Sequence, residues 1–325
     1  MPLGIWNLKF ITMRLIAAFL KMIRLPNLIF IVLTQALFYY CILLPLLKPL
    51  SVKIPIDNLS FLLLTLASVF IAAAGYIIND YFDVNVDQIN KPQKNVVDII
   101  VSRRWAMLWH FVLSSIGVLL SLYVSWRTGL WYIVLANLGC VFLLFGYSVS
   151  LKRKLLSGNI LISVLTAWVV LILCISEIRL FSKIAPEIAQ AEQKVIRLGF
   201  LYAGFAFILS LIREATKDME DREGDERYGS RTMPIVWGIQ STKIYVAVWM
   251  IVLLAILVIV QVYVLQFRWW WPVVYSIVFI IFPLLYIFYK LFKATTVQEF
   301  HELSNWSKGV MLTGILSMVF FYFYL

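Results

Sequence analysis

Charge, cysteine and histidine are scarce in this sequence. Of 325 residues, 14% are charged, three are cysteine and two are histidine. A soluble domain is about half apolar and about a quarter charged. Here 62% of residues are apolar, more than a buried core absorbs, so a bilayer must solvate much of the surface. Cys41, Cys140 and Cys174 lie inside apolar runs and form no CxxC pair, which excludes a disulfide framework and a cysteine zinc site. His110 sits in an apolar span and His301 in a polar loop, far apart in sequence, a poor metal pair. The N-terminus lacks a small-residue cleavage site, so no signal peptide is read there. Residues 1–24, with scattered basic and apolar side chains, are expected to lie as an interfacial amphipathic segment.

What is abundant is long apolar sequence. Stretches without Asp, Glu, Lys or Arg run over 25–47, 58–79, 105–126, 128–151, 155–176, 198–212, 244–267, 269–289 and 309–325. About 20 apolar residues cross the hydrocarbon layer as a helix, and only helices or closed barrels satisfy their backbone there. The sixth stretch is short and is expected to begin earlier, with Lys194 and Arg197 snorkelling to the interface. The expectation is an all-α, polytopic membrane protein, a nine-transmembrane-helix bundle. Length alone suggests two domains, but the spans follow one another so closely that 25–325 reads as a single transmembrane domain.

Nine spans put the termini on opposite sides. Of the 28 Lys and Arg residues, 20 fall in the N-terminus and the 2–3, 4–5, 6–7 and 8–9 loops, and 8 in the others. The N-terminus and the richer loops are therefore expected on the cytoplasmic side and the C-terminus opposite, in a bacterial or archaeal cytoplasmic membrane. Trp269, Trp270 and Trp271 open the eighth span at the other interface, where an aromatic belt belongs. The net charge of +11 is explained by this topology signal and by attraction to anionic lipid, with some basic side chains available to a phosphorylated substrate. It calls for no nucleic acid.

Two acid-rich motifs interrupt the apolar pattern on one predicted side. The first reads Asn79-Asp80-Tyr-Phe-Asp83-Val-Asn-Val-Asp87, then Asn90-Lys91-Pro92. Asn79, Asp83 and Asp87 are spaced i, i+4, i+8, one helical face. The second reads Arg213-Glu214-Ala-Thr-Lys217-Asp218-Met-Glu-Asp221-Arg-Glu-Gly224-Asp225. Asp218, Asp221 and Asp225 are spaced i, i+3, i+7, again one helical face, with Glu214 a turn before. Gly229 and Pro234 are expected to break the segment. Such faces repel internally unless a cation joins them, and clustered acids in a membrane protein are functional by default. Solvated loop charge is the ordinary reading of either motif alone; two on one side are harder to dismiss. Oxygen ligands without His or Cys suit Mg²⁺, which takes one or two carboxylates plus water and substrate phosphate. Metal at the mouth of an apolar bundle suits a diphosphate carried on a hydrophobic tail, with the metal acting on the leaving group. A carboxylate or the released diphosphate would take the acceptor's proton.

These motifs resemble those of the UbiA superfamily of intramembrane prenyltransferases, with NDxxDxxxD after the second helix and DxxxD after the sixth. Asn79 to Asp87 matches the first completely and Asp221 to Asp225 the second. Arg24-Leu-Pro26-Asn27 resembles the family's approach to helix 1. Tyr147-Ser148, Leu151-Lys152-Arg153 and Gly158-Asn159 resemble its 4–5 loop. The resemblance implies a prenyl diphosphate donor, a hydrophobic acceptor within the lipid, and Mg²⁺ held by Asn79, Asp83, Asp87, Asp221 and Asp225. Asp218 joins Asp83, Asp87, Asp221 and Asp225 as a catalytic candidate. Asn79, Asp80, Lys91, Lys152, Arg153 and Asn27 are substrate-binding candidates; Lys91, Lys152 and Arg153 are equally explained as topology signal. Tyr147 could steady a cation with its ring, though a packing tyrosine explains it as well. One departure stands out: the family often continues NKPxRP, whereas Asn90-Lys91-Pro92-Gln93 is followed here by Lys94-Asn95, which alters the loop's phosphate contacts. The KDxEDxEGD form of the second motif is similar to that of archaeal digeranylgeranylglyceryl phosphate synthases, homogentisate prenyltransferases and chlorophyll synthases. It implies a geranylgeranyl-sized donor with a geranylgeranylglycerol-phosphate-type acceptor, or an aromatic quinone precursor.

A secondary transporter is the competing class. Transporters often break helices near mid-membrane; here the acids lie at helix ends, which favours an enzyme. A CDP-alcohol phosphatidyltransferase would carry DGxxAR, which the sequence lacks. Composition leaves the oligomeric state open.

Overall fold

The computed structural model describes residues 15–50, 54–90, 96–177 and 186–325. Among them are nine helices long and apolar enough to cross a membrane. These are α1 (Leu25–Leu50), α2 (Asn58–Asn90), α3 (Arg103–Thr128), α4 (Tyr132–Val149), α5 (Ser157–Ser176), α6 (Pro186–Glu220), α9 (Gly238–Leu265), α10 (Trp270–Lys293) and α11 (Val297–Tyr324). Two short helices, α7 (Arg222–Arg227) and α8 (Met233–Val236), lie between α6 and α9. Residues 15–22 are also helical; the rest of the expected interfacial segment, residues 1–14, lies outside the described residues.

Each expected span is found, and the sixth begins early, at Pro186. α2 and α6 run past their charge-free stretches to Asn90 and Glu220, and the whole first motif is helical, as its spacing predicts. One start differs from the expectation. α11 starts at Val297 rather than 309, so His301 lies on a helix and not in a polar loop. The cause is local: Thr296 and Glu299 form a capping box that satisfies the first amides of α11. An apolar-run criterion cannot see such polar turns. α1 and α10 each contain a π turn, Tyr39–Leu43 and Ile277–Ile281, followed within two residues by a proline, Pro45 or Pro283. A proline ring clashes with the carbonyl four residues back, and a π turn widens the helix there.

The residues fall into two compact units, one of 1–32 and 58–151 and one of 33–57 and 152–325. In the first, α2, α3 and α4 pack together. Ala73, Ala74 and Ile77 of α2 share a core with Ala18, Met22 and Leu28 and with Ala106 and Leu113 of α3. Gly117 makes this approach possible, since a Cβ there would lie 2.7 Å from Ile71 Cγ1. Two buried polar side chains find partners here: Asn137 Nδ2 donates to Ser121 Oγ at 2.7 Å, and His110 Nδ1 lies 3.0 Å from the Ala74 carbonyl.

In the second unit α6 is central, packing against α5, α9 and α11. Ile208, Leu209 and Ile212 meet Val246, Met250, Leu284 and Val310 in its core. Lys243 is buried and donates to the Phe292 and Ala294 carbonyls at 3.4 and 2.5 Å, capping the end of α10. Apolar side chains such as Phe142, Ile259 and Trp271 point outward, as lipid-facing positions require. At Gly199 of α6 a Cβ would lie 2.5 Å from Cys174 Sγ of α5. Gly199→Ala is therefore expected to destabilise this unit by about 1–3 kcal/mol, measured as a lower unfolding midpoint in detergent. Adding Cys174→Gly should recover part of the loss; an unchanged midpoint for Gly199→Ala would show that the helices part without cost.

Candidate functional site

The first motif occupies the last three turns of α2. Asn79 Nδ2 donates to Asp83 Oδ2 at 2.8 Å, the i, i+4 contact the spacing predicts. That bond uses the amide nitrogen; the carbonyl oxygen of Asn79 is the donor of the type that suits Mg²⁺. Asp83 and Asp87 are half-buried, on the side of α2 away from exposed Asn85. Asp80 is held differently: Arg24 Nη2 lies 2.8 Å from its Oδ1. The Arg24 guanidinium also sits 5.1 Å from the centre of the Tyr76 ring, and the residue has a positive φ of 51°. Burial opposes the charge on Arg24, yet Asp80, Tyr76 and Asp87 together raise its pKa further above the ordinary arginine value. The pair thus ties the start of α1 to the acid-bearing turns of α2. Asn27 follows one turn on, its amide donating to the Arg24 carbonyl at 2.8 Å. Lys91 lies outside the described residues. Arg24 is a residue that the motif reading passed over; its signal was the Arg-Leu-Pro-Asn run itself.

The second motif differs from the expectation of one continuous helical face. α6 ends at Glu220, Asp221 has φ −90° and ψ 5°, and α7 begins at Arg222. Asp218 therefore lies on α6, Asp221 at the bend and Asp225 on α7. The backbone stays helix-like across the bend, with the Asp221 amide donating to the Lys217 carbonyl at 2.8 Å and that of Asp225 to Asp221 at 3.2 Å. Gly229, at φ +73°, turns the chain after α7 and breaks the segment as the sequence predicts; Pro234 lies in the first turn of the short helix α8.

Two contacts join the 4–5 loop to this motif within the second unit. Asn159, in the first turn of α5, donates from Nδ2 to Asp218 Oδ2 at 2.9 Å. The Arg231 amide donates to the Arg153 carbonyl at 2.7 Å. Lys152 and Arg153 lie half-buried on the short 3₁₀ turn Leu151–Arg153. Next to Asp221, buried Glu220 binds His301 Nδ1 of α11 at 3.0 Å. Asn159 and His301 are the partners that sequence reasoning missed. Asn159 stood in a quoted motif without a role, and His301 had no signal pointing to residue 220.

Among the described residues no three His, Cys, Asp or Glu side chains close into a metal cage. The donor chemistry fits Mg²⁺ all the same: this ion keeps most of its water and binds through one or two carboxylates and substrate phosphates. Asn79, Asp83 and Asp87 in one unit, and Asp221 and Asp225 in the other, supply oxygen donors of that kind.

A family model described as the UbiA prenyltransferase family matches residues 49–309. Three relatives are named digeranylgeranylglyceryl phosphate synthase. That of Methanosphaera stadtmanae is 27% identical, the match covering 77% of this chain and 83% of the relative. That of Pyrococcus horikoshii is 31% identical, over 60% of this chain and 62% of the relative. That of Methanothermobacter thermautotrophicus is 33% identical, over 58% and 60%, so this chain spans about three fifths of those two proteins. Solved structures share the fold. A UbiA homologue from Aeropyrum pernix superposes with a TM-score of 0.63 at 13% identity, over 89% of this chain and 97% of that one. One from Archaeoglobus fulgidus, bound to DMAPP and Mg²⁺, superposes with a TM-score of 0.54 at 14% identity, over 92% and 98%. A family match across most of the chain, on a fold of nine apolar helices with both acid motifs at helix ends, sets the transporter reading aside: the chain belongs to the UbiA prenyltransferase family and is a prenyltransferase of the membrane.

Proposed function

We propose that the protein transfers a geranylgeranyl-sized prenyl group from its diphosphate to a glycerol-phosphate lipid, with Mg²⁺. The observation that carries this reading is the pair of oxygen-donor sets closing α2 and α6 in a chain of this family. Asn79, Asp83 and Asp87 would hold Mg²⁺ in one unit, and Asp221 and Asp225 in the other. When bound, Mg²⁺ neutralises the diphosphate and makes it a better leaving group. The C1–O bond of the donor breaks with its electron pair going to the diphosphate. The acceptor oxygen bonds to C1 and gives its proton to a carboxylate or to the departing diphosphate. Arg24 and Asn159 hold Asp80 and Asp218 in place, and Lys152, Arg153 and Lys91 are the diphosphate contacts. Asn27, at the start of α1, is the remaining candidate for substrate contact.

The acceptor assignment is supported by relatives named digeranylgeranylglyceryl phosphate synthase and by the KDxEDxEGD form of the second motif. The excess of Lys and Arg in alternate loops supports an active end on the cytoplasmic side. The test is an assay of purified protein with Mg²⁺, prenyl diphosphates of several lengths, a geranylgeranylglycerol phosphate and homogentisate. The expected product is the prenylated glycerol lipid, formed only with the metal. Product from the aromatic acceptor alone would move the protein to the quinone-precursor class, and no product from any pair would reject the reading.

A further inference from the structure

α6 carries a cation that the metal-and-diphosphate chemistry does not use. Arg213 lies inside the membrane-spanning helix Pro186–Glu220, and its side chain is mostly buried, 16% exposed. A charged side chain within a span is costly and is retained for a function or a partner. Its Nη1 donates to Glu214 Oε1 at 2.6 Å. Lys217 Nζ lies 3.7 Å from the other oxygen of the same carboxylate. Two cations thus share one carboxylate. The Arg213 Nε–H is closed to solvent and has no hydrogen-bond partner among the described residues. A buried donor of a charged group left open in this way is rare in native proteins.

The position is specific as well. Glu214 and Asp218 are four residues apart, so they share one side of α6, and Asp221 follows at the bend. Glu214 draws the Arg213 guanidinium toward that side. At about 1.5 Å per residue the cluster lies about 10 Å along the axis from Asp221, toward the membrane interior. A guanidinium offers a planar fork of donors that matches phosphate oxygens, which a lysine cannot reproduce.

We propose that Arg213, with Lys217, binds the anionic headgroup of the acceptor, a phosphate monoester next to the nucleophilic hydroxyl, through its guanidinium donors. The inference rests on the reading of the protein as a transferase to a phosphate-bearing glycerol lipid, and it gives that reading a specificity-determining residue. Glu214 is then the holder of the fork, and the aspartates beyond it serve the donor.

The test uses the full chain in detergent with Mg²⁺ and geranylgeranyl diphosphate. The acceptors are a geranylgeranylglycerol phosphate and the same alcohol without phosphate. Arg213→Gln is expected to raise KM for the phosphate-bearing acceptor about 10- to 100-fold, the worth of a charge-assisted hydrogen bond. KM for the donor and for the unphosphorylated alcohol should move far less. Arg213→Lys should recover only part, having lost the fork. Arg213→Gln/Glu214→Gln removes the pair's charge altogether. If the pair serves only stability, that double variant recovers both the unfolding midpoint and the acceptor KM, which would overturn the proposal. Recovery of the midpoint alone supports it, and this variant decides the matter if Arg213→Gln does not fold. Equilibrium binding of the phosphate-bearing lipid in the absence of donor should show the same loss without turnover. An unchanged acceptor KM, or an equal rise for the donor, overturns this inference while leaving the transferase reading standing. A wild-type enzyme that accepts only aromatic compounds overturns both.

Discussion

Asp83→Asn and Asp221→Asn are each expected to lower kcat by about 10³-fold, while the purified variants keep the wild-type unfolding midpoint in detergent. A Lewis-acid metal supplies several kcal/mol of transition-state stabilisation, and each 1.36 kcal/mol is tenfold in rate. Asparagine has the shape of aspartate without its charge. At residue 83 it can still accept the 2.8 Å hydrogen bond from Asn79 Nδ2, so the turn of α2 survives while the metal loses a hard anionic ligand. At residue 221 the backbone bonds that carry the chain from α6 into α7 are unaffected. Lost rate with retained folding separates chemistry from structure. A variant that keeps more than a tenth of wild-type turnover at saturating Mg²⁺ would remove that residue from the metal set.

Arg24→Ala is expected to have the next largest effect, a fall of about 10- to 100-fold in kcat/KM, the scale seen when a residue orienting a metal ligand is lost. The direct cost in stability is smaller, about 0.5–1 kcal/mol, because Arg24 is 36% exposed and solvent screens the pair. Its weight comes from position. Asp80 adjoins Asn79, and the guanidinium stacks over Tyr76 one turn earlier, so the pair fixes the α2 turns that carry the first donor set. A double-mutant cycle with Asp80→Asn measures this directly: the two changes together should cost little more than either alone. Strictly additive losses would mean that the two side chains act separately.

Much of the fold was legible because the bilayer imposes a simple rule on sequence. A span must be apolar for about 20 residues and must satisfy its own backbone. The nine charge-free stretches therefore mark the nine long helices. Their ends were less legible, because polar residues continue a helix once it leaves the hydrocarbon. α2 extends through Asp83 and Asp87 to Asn90, and the capping box at Thr296 starts α11 twelve residues before its charge-free stretch. The bend at Asp221 had only a weak local sign, an aspartate of the type that starts helices with Gly224 after it. The Lys, Glu and Arg around it are good helix formers, and the i, i+3, i+7 spacing fits an unbroken helix.

The site divides along the same line. Which side chains can ligate a hard cation was set by residue type and by spacings of three or four, and both are local properties. Asn79 and Asp83 meet as their spacing requires. The groups that hold the acids in place are far off in sequence: Arg24 is 56 residues from Asp80, Asn159 is 59 from Asp218, and His301 is 81 from Glu220. The sequence by itself determined that this chain is helical, lives in a membrane and carries two sets of oxygen ligands, because periodicity and hydropathy act over a few turns of helix. Only the tertiary structure decided which cation or amide restrains each acid and where α6 bends, because those contacts depend on how separate helices pack against one another.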